Sequence, residues 1–304
     1  MSYALLFGGQ GNQHADMLPW LLDDARESME LTQLEMSLKA PWRSVVRNAS
    51  LRNANQFAQP LITGTSLASW EMLKPHLPGL PGAVAGYSVG EMAAYACARV
   101  FSASQAIRLS AMRADLMDRA TSGRASGLMS ISGMPVESVV HNHPNLFCAI
   151  AIDFDHAIFG ALTEHLDEAQ RQLDGVGASC KRLDITVASH TPLMASASEG
   201  FSKVLNTIAF MAPDFPIVVN ARSTPCRRAD DLKQALSDQI SNRVDWASCM
   251  DALVETGVRC VLEIGPGRAL SAIWNRRHPT IPARAVEDFR HLRAAANWVE
   301  RGSA

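Results

Sequence analysis

Between Ala83 and Glu91 the chain reads Ala-Val-Ala-Gly-Tyr-Ser-Val-Gly-Glu. A short apolar strand runs into Gly-x-Ser-x-Gly, and Gly90 to Ala98 has the composition of a helix. This segment constrains the fold more than any other. A serine on a sharp strand-to-helix turn is lifted clear of the sheet, and the flanking glycines let the backbone pass without clashes. Such a turn belongs to an α/β sheet. The helix N-terminus behind it offers free N–H groups and positive potential. The N–H of Val89 would then point at any oxyanion formed on attack by Ser88. The bland alternative is a serine in a tight turn with no chemistry; the strand-turn-helix context favours the chemical reading.

The rest of the chain arranges itself around that turn. Tyr3 to Phe7 reads as a short buried strand followed by the glycine-rich turn Gly8-Gly9-Gln10-Gly11. A helical region interrupted by polar loops fills 18–74, and Ser104 is the expected N-cap of a helix running to about Ala120. From Leu128 the pattern becomes strand (128–132), helix (136–141), strand (146–154), strand (156–161), helix (163–173) and strand (178–183). That β-α-β-β-α-β order is the ferredoxin-like arrangement. After His190 the α/β pattern returns, with strands at 215–219 and 260–264 and helices at 230–240 and 246–255. The expected organisation is a discontinuous α/β core over 1–124 and 191–304, interrupted by a small lobe over 125–190.

A serine hydroxyl is a poor nucleophile at neutral pH and needs a base. His190 stands out among the histidines because it ends the run Ile185-Thr186-Val187-Ala188-Ser189 and precedes Thr191-Pro192. That places it on a loop at an element end, where catalytic groups are often held. A lone loop histidine is more commonly just solvated. The helix after Ser104 carries the sharpest clue. At 100° per residue, Ala106, Leu109, Met112, Leu116 and Met117 share one face, and Arg113 falls within it. A guanidinium is always charged and costly to bury alone. Either its head snorkels to water, or its planar fork waits for a carboxylate.

Composition excludes several classes. Of 304 residues, 47% are hydrophobic and 19% charged, which is enough for a sizeable globular core. The formal net charge of -2 gives no reason to expect a nucleic acid or a membrane as partner. The six cysteines form no C-x-x-C pair and no cluster with histidine, so neither a disulfide framework nor a metal site is expected, and a reducing cytoplasm is the natural compartment.

Five motifs in order carry a family resemblance: Phe7-Gly8-Gly9-Gln10-Gly11-Asn12-Gln13, Gly86-Tyr87-Ser88-Val89-Gly90-Glu91, Met112-Arg113-Ala114-Asp115-Leu116-Met117, Ser189-His190-Thr191-Pro192-Leu193-Met194 and Glu263-Ile264-Gly265-Pro266-Gly267. Over about residues 3 to 280 the chain resembles the malonyl-CoA:acyl carrier protein transacylases. Within them it looks most similar to the epsilon subunit of malonate decarboxylase, through Tyr87 and the stretch after His190. The resemblance implies a hydrolase-like α/β core with a ferredoxin-like insertion. It implies Ser88 as nucleophile, His190 as base, the N–H groups of Gln10 and Val89 as oxyanion hole, and Arg113 as the malonyl carboxylate's partner. A backbone carbonyl near Gly265 is expected to orient His190.

The implied reaction moves malonyl from malonyl-CoA, through a serine ester, to the thiol of an acyl carrier protein. No permanent cofactor is expected; malonyl-CoA and coenzyme A are substrate and product. The implied acceptor is the malonate decarboxylase carrier subunit, with a fatty-acid or polyketide carrier as the alternative. A serine esterase or thioesterase and a non-catalytic carrier-binding subunit are the rival classes. Lys181-Arg182, Arg227-Arg228 and Arg276-Arg277 are candidates for meeting an acidic carrier. The chain also departs from the family: Gly8 replaces a usual proline and Tyr87 a usual histidine. Ile152-Asp153-Phe154-Asp155-His156 replaces an asparagine-rich stretch. Ser189, where malonyl-selective members often have phenylalanine, hints at methylmalonyl, while Val89 points back to malonyl.

Overall fold

The computed structural model describes residues 2–23 and 28–303. Its strands in chain order are β1 (Tyr3–Phe7), β2 (Ala83–Gly86), β3 (Ser126–Ser132), β4 (Phe147–Asp153), β5 (His156–Leu162), β6 (Ser179–Arg182), β7 (Ile217–Val219), β8 (Thr224–Cys226), β9 (Val244–Asp245), β10 (Cys260–Ile264) and β11 (Ala283–Ala285). They form two sheets, ordered β11-β10-β1-β2-β7-β8 and β6-β3-β5-β4-β9. The larger is parallel except for the β7–β8 hairpin.

Every residue of β1 is buried. A parallel strand covered on both faces must be apolar throughout, which is why Tyr-Ala-Leu-Leu-Phe suits its centre. Its period of two sends Tyr3, Leu5 and Phe7 to one core and Ala4 and Leu6 to the other. The first core lies under helices including Asn55–Leu73, Gly90–Cys97 and Ala103–Ala120. The second joins the sheets: Leu6, Ala85 and Val218 pack with Leu128, Ile150, Ile152 and Ile158 of the small sheet. The opposite face of the small sheet buries Met129, Ile131 and Phe159 against its own helices, through Val139, Leu166 and Leu173. The fold is therefore an α/β hydrolase-like core carrying a ferredoxin-like lobe. The small sheet draws its fifth strand, β9, from residues beyond 125–190, and β9 lies parallel to β4.

Several sequence expectations shift. The arginine helix is capped by Ser102, not Ser104: Ser102 is extended, its Oγ accepts from Gln105 N, and Gln105 returns the bond. That is the S-x-x-Q capping box. Ser104 lies inside the helix and hydrogen-bonds to Gln33. The buried face of this helix is rotated from the expected stripe. Ala106, Leu109, Ser110, Arg113 and Met117 are inside, whereas Met112 is exposed and Leu116 half-buried. Both outliers sit at the edge of the stripe at 100° per residue.

Candidate active site

Ser88 occupies the turn between β2 and the helix Gly90–Cys97 with φ 55, a left-handed conformation that a serine adopts at a cost. Packing of the elbow across β1 demands the glycines. A Cβ on Gly86 would sit 2.2 Å from Glu91 N, and one on Gly90 would sit 2.2 Å from Phe7 O. Asn220, at the C-terminal end of β7, clamps the turn. Its Oδ1 accepts from Ser88 N at 2.9 Å, its Nδ2 donates to Gly86 O at 2.7 Å, and its own N donates to Glu91 Oε1 at 2.7 Å.

His190 also has a left-handed backbone, with φ 62, and is 1% exposed. Its N–H donates to Ile240 O at 2.8 Å. Its Nδ1 contacts the carbonyl of Gln239, which can only accept, so Nδ1 carries the ring hydrogen. Nε2 is thereby left as the acceptor facing Ser88 Oγ, 2.8 Å away. This corrects the expectation that the loop near Gly265 supplies the orienting carbonyl. The chain passes Gln239 as it leaves the helix Ala229–Asp238, directly beside the imidazole. Gly265 packs instead beside Ser66 and Gly8.

Arg113 is 1% exposed, so the snorkelling alternative is excluded. Nη1 donates to Gln59 Oε1 at 2.7 Å and Nη2 to Gln239 Oε1 at 3.3 Å, while Nη2 lies 3.4 Å from Ser88 Oγ. Gln59 is turned this way because its Nε2 donates to Asn55 Oδ1 at 2.7 Å. Among the described residues, Nε of Arg113 is buried without a hydrogen-bond partner. Burial lowers the guanidinium to about 10, opposed by Glu91, and it stays charged at neutral pH.

Ser88, His190, Arg113, Gln10 and Val89 all line one cavity of about 250 Å³ between the two sheets. Its far wall is aliphatic, from Leu128, Ile150, Ile152 and Ile158, and Ser189 and Tyr87 border it. Tyr87 stacks edge-on against Trp246 at 5.0 Å, and burial pushes its phenol up. His156, from the stretch that departs from the family, also lines the cavity, whereas Phe154 is exposed. Of the basic pairs, Lys181 borders the cavity. Arg182 is tied to Asp167, Arg228 to Asp231, and Arg277 to Asp251 and Asp153, so these three are engaged within the chain.

Gln59, Gln239, Asn220 and Glu91 escaped the sequence reading as site residues. Only Asn220 had a usable signal: a polar residue at the carboxyl end of a parallel strand, where α/β sheets place ligands. Glu91 is fully buried, and burial raises it from 4.5 to about 8. The folded state therefore holds that proton more tightly than the unfolded chain does. The resulting stability is full below about pH 4.5 and is lost as pH rises towards about 8. Glu91→Gln removes this titration while keeping an acceptor for Asn220. Its stability relative to the parent should rise between about pH 5 and about pH 8, by roughly 1 kcal/mol or more, in urea denaturation. Buried Glu263, raised similarly to about 7, is common to both proteins and cancels. A pH-independent difference would refute the assignment.

An acyl transferase domain model matches residues 4–285. The malonyl CoA-acyl carrier protein transacylase of Mycobacterium bovis is 30% identical over 301 residues, covering 97% of this chain and 99% of the relative. That of Salmonella typhimurium is 27% identical over 308 residues, covering 96% and 98%. Among solved structures, a chain from the complex of a type II PKS acyl-carrier protein with its malonyl-transacylase superposes with TM-score 0.91 at 27% identity, covering 99% of this chain and 100% of that one. An acyl carrier protein S-malonyltransferase from Vibrio cholerae gives 0.88 at 25% identity, covering 97% and 100%. Matched by the domain model over residues 4–285 and by the Mycobacterium bovis relative over 97% of its length, the chain belongs to the acyl transferase domain family, among the malonyl-CoA:acyl carrier protein transacylases.

Proposed function

We propose that this chain moves a malonyl group from malonyl-CoA to the thiol of an acyl carrier protein through an ester on Ser88. The observation that carries the proposal is a fully buried guanidinium 3.4 Å from the serine hydroxyl. An esterase for neutral acyl groups has no use for a cation there, whereas a malonyl thioester brings a carboxylate that fits its fork.

In the first half-reaction, His190 Nε2 takes the proton of Ser88 Oγ as that oxygen attacks the thioester carbon. The N–H groups of Gln10 and Val89 receive the oxyanion, each worth about 3 kcal/mol. The C–S bond breaks, and the histidine returns its proton to the departing sulfur of coenzyme A. In the second half-reaction the carrier thiol gives its proton to His190 and attacks the serine ester, and Ser88 recovers its hydrogen. Arg113 holds the malonyl carboxylate throughout.

For the acceptor, relatives that include the malonyl-transacylase of a polyketide carrier complex favour a fatty-acid or polyketide carrier over the malonate decarboxylase subunit. Tyr87 and the stretch after His190 stand behind the second choice. Intact-mass measurement after incubation with malonyl-CoA tests the reaction: one malonyl adduct, mapped to Ser88, is expected. Chase with holo-carriers of each type tests the acceptor, the faster discharge naming it. Absence of any adduct on Ser88 would reject the reading. Parallel incubations with acetyl-CoA and methylmalonyl-CoA probe the pocket beside Ser189.

A further inference from the structure

Arg113 and His190 share one hydroxyl. The arginine Nη2 lies 3.4 Å from Ser88 Oγ and the histidine Nε2 lies 2.8 Å from it, with both side chains buried. All the polar contacts of Arg113 are with neutral oxygens, those of Gln59, Gln239 and Ser88. Among the described residues no carboxylate reaches ion-pair distance of it. Glu91 acts on it only at longer range, and that carboxyl is held by the N–H of Asn220 and kept largely protonated by burial. Among the described residues the site therefore contains a buried cation with no counter-charge at ion-pair distance. For His190 to accept the Ser88 proton, a second cation must form across the same hydroxyl, in a region where charges are poorly screened.

We propose that the carboxylate of the incoming acyl group, once seated on Arg113, is what makes His190 an effective base, so that the substrate switches on the residue that activates the nucleophile. This rests on the malonyl-transfer reading and extends it: the distal carboxylate contributes to the rate of acyl transfer as well as to binding. The groups facing the imidazole are few. Arg113 approaches from the helix Ala103–Ala120 and Ser88 from the elbow, while the Gln239 carbonyl comes from the segment after the helix Ala229–Asp238; the Ile240 carbonyl holds the main-chain N–H of His190, not its ring. Burial first, and Arg113 second, drive His190 down to about 3, against the Gln239 carbonyl. A carboxylate on Arg113 cancels the second cause. After acylation the malonyl carboxylate stays in place, so the base remains competent for the carrier thiol. A neutral acyl thioester loses affinity and chemical rate together.

The test takes the substrate apart. Acetyl-CoA supplies the thioester and sodium formate supplies the carboxylate, with sodium chloride as the ionic-strength control. The rate of Ser88 acetylation is followed by intact mass across about pH 5 to 8. Formate is expected to raise that rate about tenfold or more. It should also bring a low-pH limb into view, moving it up towards the ordinary histidine range near about 6.5. In Arg113→Gln, formate should do nothing, and the limb should already sit above that of the parent without formate. The proposal is overturned if formate only competes, or leaves rate and limb unchanged, while malonyl-CoA still labels Ser88. Failure of malonyl-CoA itself to label Ser88 would instead remove the underlying reading and this inference with it.

Discussion

Ser88→Ala should lose malonyl transfer by about 10⁴-fold or more and show no covalent adduct, with the fold intact. His190→Ala should fall by a similar factor, because hydroxyl and imidazole act as a unit through their 2.8 Å contact. The double variant should be no worse than either single one, since residues that act as a unit are not additive. Single-turnover transfer, read as malonyl appearing on the carrier, measures all three. Additive losses would mean that the two side chains serve different steps, and the proton path drawn between them would be wrong.

Arg113→Met carries the second large effect, with opposite signs in two assays. Removing a desolvated charge from a charge-assisted contact costs about 2–5 kcal/mol, so malonyl transfer should drop by roughly 30- to 5,000-fold. Stability should move the other way or stay level. The guanidinium is buried, and among the described residues its Nε has no partner and no carboxylate lies at ion-pair distance. Replacing such a group with an apolar side chain of similar volume is often neutral or stabilising. Thermal melting and transfer kinetics on the same preparation decide the matter. A variant that melts much lower while keeping parental malonyl transfer would show that Arg113 serves the core and not the substrate.

The elbow and the arginine were legible for the same reason: each breaks a local rule in plain view. Glycines around a serine where strand meets helix, and a cation within an apolar stripe, are both visible at single-residue spacing. The orienting carbonyl was not. Every residue has one, so Gln239 leaves no mark in the sequence, and the family resemblance points to the loop near Gly265 instead. Gln59 lies among buried polar residues of the helix Asn55–Leu73, and only its partner Asn55 reveals which way its oxygen faces. The short strands β8, β9 and β11 hold three residues or fewer, too short for a period of two to declare itself. The cap at Ser102 is readable, since Gln105 stands three residues on, whereas Ser104 lies two residues too far along, inside the helix.

The strand β9 ties the two sheets together in a way that reaches the imidazole. Val244 and Asp245 pair with Ile150 and Ala151 of the small sheet. Only a few residues upstream on the same stretch of backbone, Gln239 and Ile240 grip the ring and main chain of His190. A tether that short leaves little slack. If the small lobe tilts away from the core to widen the entrance, the strain runs along residues 240–244 into the grip on the ring. Gape at the mouth and aim of the histidine are mechanically one variable, so a gaping cavity full of water is also one whose imidazole is poorly aligned.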